Sequence, residues 1–199
     1  MSSLLYQASI TTLFLLSFLS FSIADDNHIL DIRNDPIING GDYYIVPAIG
    51  DYEGYLSYNP KNDLCPLYVK NTYNPTAVKI SISGNSQFIN LNQRVSIAFN
   101  GSNPCNESLV WRRTLKPLAR REYITTGGVE GDLSFSITLR NKSRPPFYVL
   151  KYWPSSSEVG SLNVGLYYDE DDEPLGLTKS PITVFFEKTS RNNPRVSTA

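Results

Sequence analysis

The segment Leu133-Ser134-Phe135-Ser136-Ile137-Thr138-Leu139-Arg140 alternates apolar and polar residues without a break. Successive side chains of a strand point to opposite faces, so Leu133, Phe135, Ile137 and Leu139 share one face. Ser134, Ser136, Thr138 and Arg140 share the other, which is the pattern of a half-buried β-strand. Outward from this segment, helical periodicity is hard to find. The chain offers short runs rich in Val, Ile, Tyr, Phe and Thr, spaced by Gly, Pro, Asn and Asp, and that habit belongs to all-β proteins. The runs predict strands at Tyr43–Ala48, Gly54–Tyr58, Leu67–Lys70, Thr76–Ile82, Arg94–Phe99 and Leu109–Arg113. They continue at Glu122–Thr126, Leu133–Arg140, Phe147–Tyr152, Leu162–Tyr168, Gly176–Thr178 and Ile182–Glu187.

Twelve strands in one domain of this size predict closure into a barrel, because closure removes exposed strand edges. Three rounds of four strands would make a β-trefoil. The internal echo is faint: Tyr43-Tyr44-Ile45-Val46-Pro47 resembles Phe147-Tyr148-Val149-Leu150. Periodicity alone does not separate a trefoil from a sandwich.

The N-terminus sets the expected compartment. Leu13 to Phe21 is an apolar run of leader-peptide length, and Ser22-Ile23-Ala24 places small residues where a signal peptidase cuts. No Lys or Arg precedes the run, which is unusual for a leader. The expected organisation is a leader over 1–24, one domain over 25–190 and a disordered tail over 191–199 that is nearly devoid of apolar residues. Secretion into the extracellular space is the expectation, with a vacuole as the alternative destination. A net charge of −1 gives no electrostatic reason to expect nucleic acid or an anionic membrane as a partner.

In an oxidising compartment the only two cysteines, Cys65 and Cys105, most simply form one disulfide. Closing a loop of that length stabilises a fold by about 4 kcal/mol in the chain-entropy model. A catalytic thiol would need a basic partner, and the only histidine, His28, lies near the expected new N-terminus. With its one histidine near the expected new N-terminus the chain offers no Ser-His-Asp set, and no His/Cys metal cluster exists, so no enzyme and no cofactor is expected. Asn100-Gly101-Ser102, Asn106-Glu107-Ser108 and Asn141-Lys142-Ser143 are N-glycosylation acceptors, which if used mark surface loops. The acidic run Asp169-Glu170-Asp171-Asp172-Glu173 lacks the spaced ligands and central glycine of a calcium loop and reads as a solvated hairpin tip. Arg112-Arg113 and Arg120-Arg121 read as solubilising charge around a loop containing Lys116-Pro117.

Between the cysteines lies Ser81-Ile82-Ser83-Gly84-Asn85-Ser86-Gln87-Phe88-Ile89-Asn90, small, polar and turn-prone between two predicted strands. A strand, an exposed loop and a strand enclosed by one covalent staple suit a protein that works by presenting a loop.

Ile29-Leu30-Asp31-Ile32 followed by Asn39-Gly40-Gly41-Asp42-Tyr43-Tyr44-Ile45-Val46-Pro47-Ala48 closely resembles the opening signature of the plant Kunitz-type inhibitors, the soybean trypsin inhibitor and miraculin family. The likeness continues through Cys65-Pro66-Leu67, Pro104-Cys105, Val110-Trp111, Tyr123-Ile124-Thr125-Thr126-Gly127-Gly128-Val129, Phe147-Tyr148-Val149-Leu150 and Ile182 to Lys188. The resemblance implies a β-trefoil with pseudo-threefold symmetry that inhibits proteases through a convex, substrate-like loop. The partner it implies is a target protease, of the serine class first and the cysteine class second, bound by a monomer. The loop comprises Ser83, Gly84, Asn85, Ser86, Gln87 and Phe88, and the family's supporting asparagine falls on Asn39, which also fills an Asn-Gly-Gly turn. Asn85 then stands where the side chain enters the protease pocket; a shifted register would offer Lys79 or Phe88 instead. A trypsin-like pocket carries a buried carboxylate that Asn leaves unpaired, so a weak trypsin inhibitor is expected. The family's second, short-range disulfide is missing, with Trp153 and Ser161 at the matching positions. A non-inhibitory binding, storage or miraculin-like role on the same fold is the alternative.

Overall fold

The computed structural model describes residues 27–48, 54–58, 65–101, 103–116, 120–155, 160–168 and 173–189. The predicted leader, the predicted tail, most of the acidic run and Ser102 of the first sequon lie outside the described residues. Among the described residues twelve strands are present: β1 (Gly41–Pro47), β2 (Tyr55–Ser57), β3 (Lys70–Thr72), β4 (Ala77–Ser81), β5 (Arg94–Asn100) and β6 (Arg112–Lys116). The remainder are β7 (Arg121–Thr125), β8 (Phe135–Asn141), β9 (Phe147–Tyr152), β10 (Leu162–Leu166), β11 (Leu175–Leu177) and β12 (Thr183–Lys188). Among the described residues no helix is long and apolar enough to cross a membrane.

The pairings close a ring. β12, β1, β4, β5, β8 and β9 follow one another, and β9 pairs back onto β12 through Thr183 opposite Val149 and Val184 opposite Tyr148. β2–β3, β6–β7 and β10–β11 are antiparallel hairpins outside that ring. Each consecutive set of four strands therefore gives its first and fourth members to the barrel and its second and third to a hairpin. That arrangement is a β-trefoil. The faint sequence echo joins β1 to β9, the first strands of the first and third sets. Their tyrosines play matching parts: the Tyr43 hydroxyl accepts the Ile38 N–H at 2.9 Å, and the Tyr148 hydroxyl accepts the Leu30 N–H at 2.8 Å.

Alternation fills the barrel. Tyr43 and Ile45 of β1, Val78 and Ile80 of β4, Val95 and Ile97 of β5, Phe135 and Ile137 of β8, and Val184 and Phe186 of β12 are all buried. Trp111 packs against Phe99 and Phe135, with ring centroids 5.3 and 6.1 Å away. Burying apolar surface at about 25 cal/mol per Å² is the main favourable contribution to such a core.

Four expectations need correction. β8 starts at Phe135, and the polar face is covered at that start: Ser134 and Ser136 are buried, with the Trp153 indole N–H donating to Ser136 Oγ at 2.8 Å, while Arg140 is exposed. β3 lies at Lys70–Thr72, displaced from the predicted Leu67–Lys70. Leu67 and Val69 are buried, but they bond to the end of β7 rather than to β2, through Val69 N–H to Ile124 O and Thr126 N–H to Leu67 O. β6 lies at Arg112–Lys116 because the apolar Val110 and Trp111 belong to the barrel, where the Trp111 N–H donates to Ile97 O at 2.8 Å. The charged residues form the hairpin strand, so Lys116 sits opposite Arg121 rather than in a loop. Cys65 and Cys105 form the disulfide, joining the approach to β3 with the turn that follows β5.

Candidate functional site: the loop between β4 and β5

β4 and β5 are central barrel strands, paired with each other over Ala77–Ser81 and Ser96–Asn100. Between them the chain leaves the barrel at Ile82 and returns at Ile89, both buried, while Ser83, Gly84, Asn85, Ser86 and Gln87 are exposed. Apolar residues at both feet and none along the crest explain why the segment rises rather than collapses. Gly84 has φ +93°, and a Cβ there would meet no atom within 4 Å, so the backbone conformation alone calls for glycine.

The loop is held from beneath by a segment of the N-terminus. The Ile29 N–H donates to Ile89 O at 3.0 Å, Ile89 N–H to Ile37 O at 3.1 Å, and Leu91 N–H to Asn27 O at 2.7 Å. Above these, Asn39 N–H donates to Gln87 O and Gly40 N–H to Ile80 O, each at 2.8 Å. The Asn39 side chain then bridges both legs of the loop. Its Nδ2 donates to Ser86 O at 3.1 Å, and its Oδ1 accepts the Ile82 N–H at 3.0 Å. Gly40, at φ +75°, supplies the turn that aims Asn39 there, so the Asn-Gly-Gly turn and the bridge are one feature. Ser86 Oγ donates to Phe88 O at 2.8 Å, a local tie within the returning leg. Neutral hydrogen bonds of this kind each contribute about 1 kcal/mol.

The three register options differ sharply. Lys79 lies inside β4 with its backbone between Asp42 of β1 and Ala98 of β5, so it cannot be offered to a protease cleft. Phe88 is half-buried, bridges to Ile38, and packs on the His28 ring with centroids 5.3 Å apart. Asn85 sits exposed on the crest, and among the described residues its carboxamide has no hydrogen-bond partner. His28, weighed from sequence only as a partner for a thiol, takes a different place. Its Nδ1 lies 2.6 Å from Asn90 Oδ1, and its ring supports Phe88. The backing segment through Ile29 and Ile37 pairs only by isolated bridges, and its local signal is apolar residues on either side of a polar turn.

Asn100, Asn106 and Asn141 are all exposed. Asn100 and Asn106 lie at or beyond the end of β5 that is remote from the loop, as does Cys105. Asn141 ends β8, whose pairing of Ser136 with Arg94 places that end on the loop side of the barrel. The disulfide therefore secures the opposite rim. Among the described residues no group of His, Cys, Asp and Glu could hold a metal ion.

The profile of the legume Kunitz family, described as trypsin and protease inhibitors, matches residues 29–188, from the backing segment to the last residue of β12. The chain belongs to this Kunitz family. Miraculin from Synsepalum dulcificum is 26% identical over 86% of this chain and 87% of its own length. A latex serine proteinase inhibitor from Carica papaya is 29% identical over 82% of this chain and 97% of its own. Among solved structures, the Kunitz-type cysteine protease inhibitor PCPI-3 from potato superposes with a TM-score of 0.69 at 27% identity, covering 83% of this chain and 98% of that one. Kunitz relatives thus carry names for two mechanistic classes of protease, and miraculin's name carries none. In this member the β9–β10 hairpin is held without a disulfide, by Leu162 opposite Tyr152 and by Lys151 Nζ donating to Asn163 Oδ1 at 2.6 Å.

Proposed function

We propose that this protein is a monomeric protease inhibitor that occupies a peptidase cleft with the loop Ser83–Phe88. The observation that carries the reading is the Asn39 bridge. A peptide already held in its bound shape loses little entropy on docking. If the Asn85–Ser86 bond is cut, Asn39 still holds the Ser86 carbonyl, while Ile80 remains tied to Gly40. The new ends stay together, and reversal competes with release. Serine endopeptidases are the first class of target and cysteine endopeptidases the second. Trypsin itself is a poor fit, because Asn85 leaves the pocket carboxylate unpaired at a penalty of about 3–5 kcal/mol. Export through the leader over 1–24, to the extracellular space or a vacuole, and glycans on Asn100, Asn106 and Asn141 complete the proposal.

One observation favours the alternative of a non-inhibitory Kunitz protein. Gly84 at φ +93° interrupts the extended backbone that a substrate strand needs ahead of the scissile bond. The test is a panel of purified serine, cysteine and aspartic endopeptidases assayed with the secreted protein. Inhibition of at least one serine or cysteine enzyme, with trypsin hardly affected, is the expected result. A panel left wholly untouched overturns the proposal in favour of the alternative.

A further inference from the structure

We infer that the protease matched to this loop is an endopeptidase that cleaves after asparagine, with Asn85 filling its specificity pocket; the inference rests on the loop assignment above. The exposed crest offers five residues, and two of them bear carboxamides. Gln87 belongs to the returning leg, where its backbone carbonyl is tied down by the Asn39 backbone N–H. Asn85 is engaged by nothing among the described residues and is flanked by Gly84 and Ser86, so no bulky neighbour shares its recognition.

The chemistry of that side chain narrows the pocket. A carboxamide presents two N–H donors and an oxygen acceptor. A pocket built for a cation leaves its own carboxylate unpaired, and a wide apolar pocket strips the carboxamide of water without replacing its hydrogen bonds. Only a pocket with both a donor and an acceptor gains from Asn85. Gly84 at φ +93° turns the chain ahead of Asn85 out of an extended strand, so within this reading the Asn85 side chain and the segment Ser86–Phe88 carry the recognition.

The covalent step balances within the complex. The peptidase nucleophile adds to the Asn85 carbonyl carbon, the Asn85–Ser86 bond breaks, and the nucleophile's proton ends on the Ser86 nitrogen. Asn39 keeps that amine in place through the Ser86 carbonyl. Attack of the amine on the acyl-enzyme restores the peptide bond and returns the proton.

The experiment compares the parent protein with Asn85→Ala and Asn85→Arg against a purified asparagine-specific cysteine endopeptidase and against trypsin. All three should share one circular dichroism spectrum, since Asn85 has no partner to lose. The parent should inhibit the asparagine-specific enzyme, and Asn85→Ala should weaken that inhibition on the order of 100-fold or more, because the pocket's polar groups go unpaired. Asn85→Arg should move inhibition to trypsin. If Asn85→Arg inhibits trypsin while the parent spares the asparagine-specific enzyme, this inference is overturned and the loop assignment stands. If Asn85→Arg gains nothing and the parent spares both enzymes, both fall. If the parent inhibits and Asn85→Ala does so equally well, Asn85 is not the pocket residue.

Discussion

The carboxamide of Asn39 donates to Ser86 and accepts from Ile82, so truncating it frees both legs of the loop together. Asn39→Ala should keep the same strands and lose about 1–2 kcal/mol of stability, for two partly exposed hydrogen bonds. Its larger effect should be kinetic. Inhibition should decay on incubation as the Asn85–Ser86 bond is cut and not resealed, and mass spectrometry of the mixture should find the cleaved chain accumulating. A variant as durable as the parent would remove Asn39 from its supporting place. At this scale the sequence was informative mainly through resemblance. It pointed to Asn39 and Asn85 and ranked Lys79 lower because Lys79 falls inside a predicted strand, but it left the register open towards Phe88. The choice needed the backbone pairing of β4 and the packing of Phe88 on His28.

Among the elements, the end of β9 is anchored to the barrel by Trp153. Trp153 follows β9, donates its backbone N–H to Ser134 O at 2.8 Å and its indole N–H to Ser136 Oγ, and lies under the Arg94 guanidinium at 4.4 Å. One side chain thus joins β5, β8 and β9. Trp153→Ala should lower the free energy of unfolding by about 2 kcal/mol, less than a fully buried tryptophan but more than a surface one, as read from urea denaturation. A loss within experimental error would show that strand pairing holds the end of β9 without these contacts. The displaced strands carry a lesson of the same scale. Apolar runs marked the barrel accurately, as at Phe147–Tyr152, but pulled β3 and β6 upstream. Leu67, Val69, Val110 and Trp111 are buried against the barrel or against β7, while the hairpin strands beside them are polar, since a cap faces water on one side. Hydrophobicity reports burial, and burial and ladder membership part company at the rim.

Across the whole molecule, the closed barrel places the disulfide at one rim and the loop at the other, so the covalent tie stabilises the scaffold away from the exposed loop. The barrel also buries Tyr43, Tyr148 and Tyr152, whose hydroxyls are pushed above the ordinary tyrosine value, first by desolvation. In the unfolded chain these groups ionise near pH 10, about their reference value. The folded state holds the proton more tightly, so their contribution is fully present below that pH and is lost as pH rises towards the folded values. Urea midpoints should therefore be flat through neutral pH and fall as pH rises above about 10. A midpoint that rises across that window would contradict the burial argument. Strand alternation, the lone pair of cysteines and the composition decided the all-β class and the single disulfide, because such signals are local or are counts that no folding can change. What supports the loop was decided only when the barrel closed. The partners of Asn39 lie 43 and 47 residues away along the chain, and hydrogen bonds between groups so distant exist only where the topology brings them within about 3 Å.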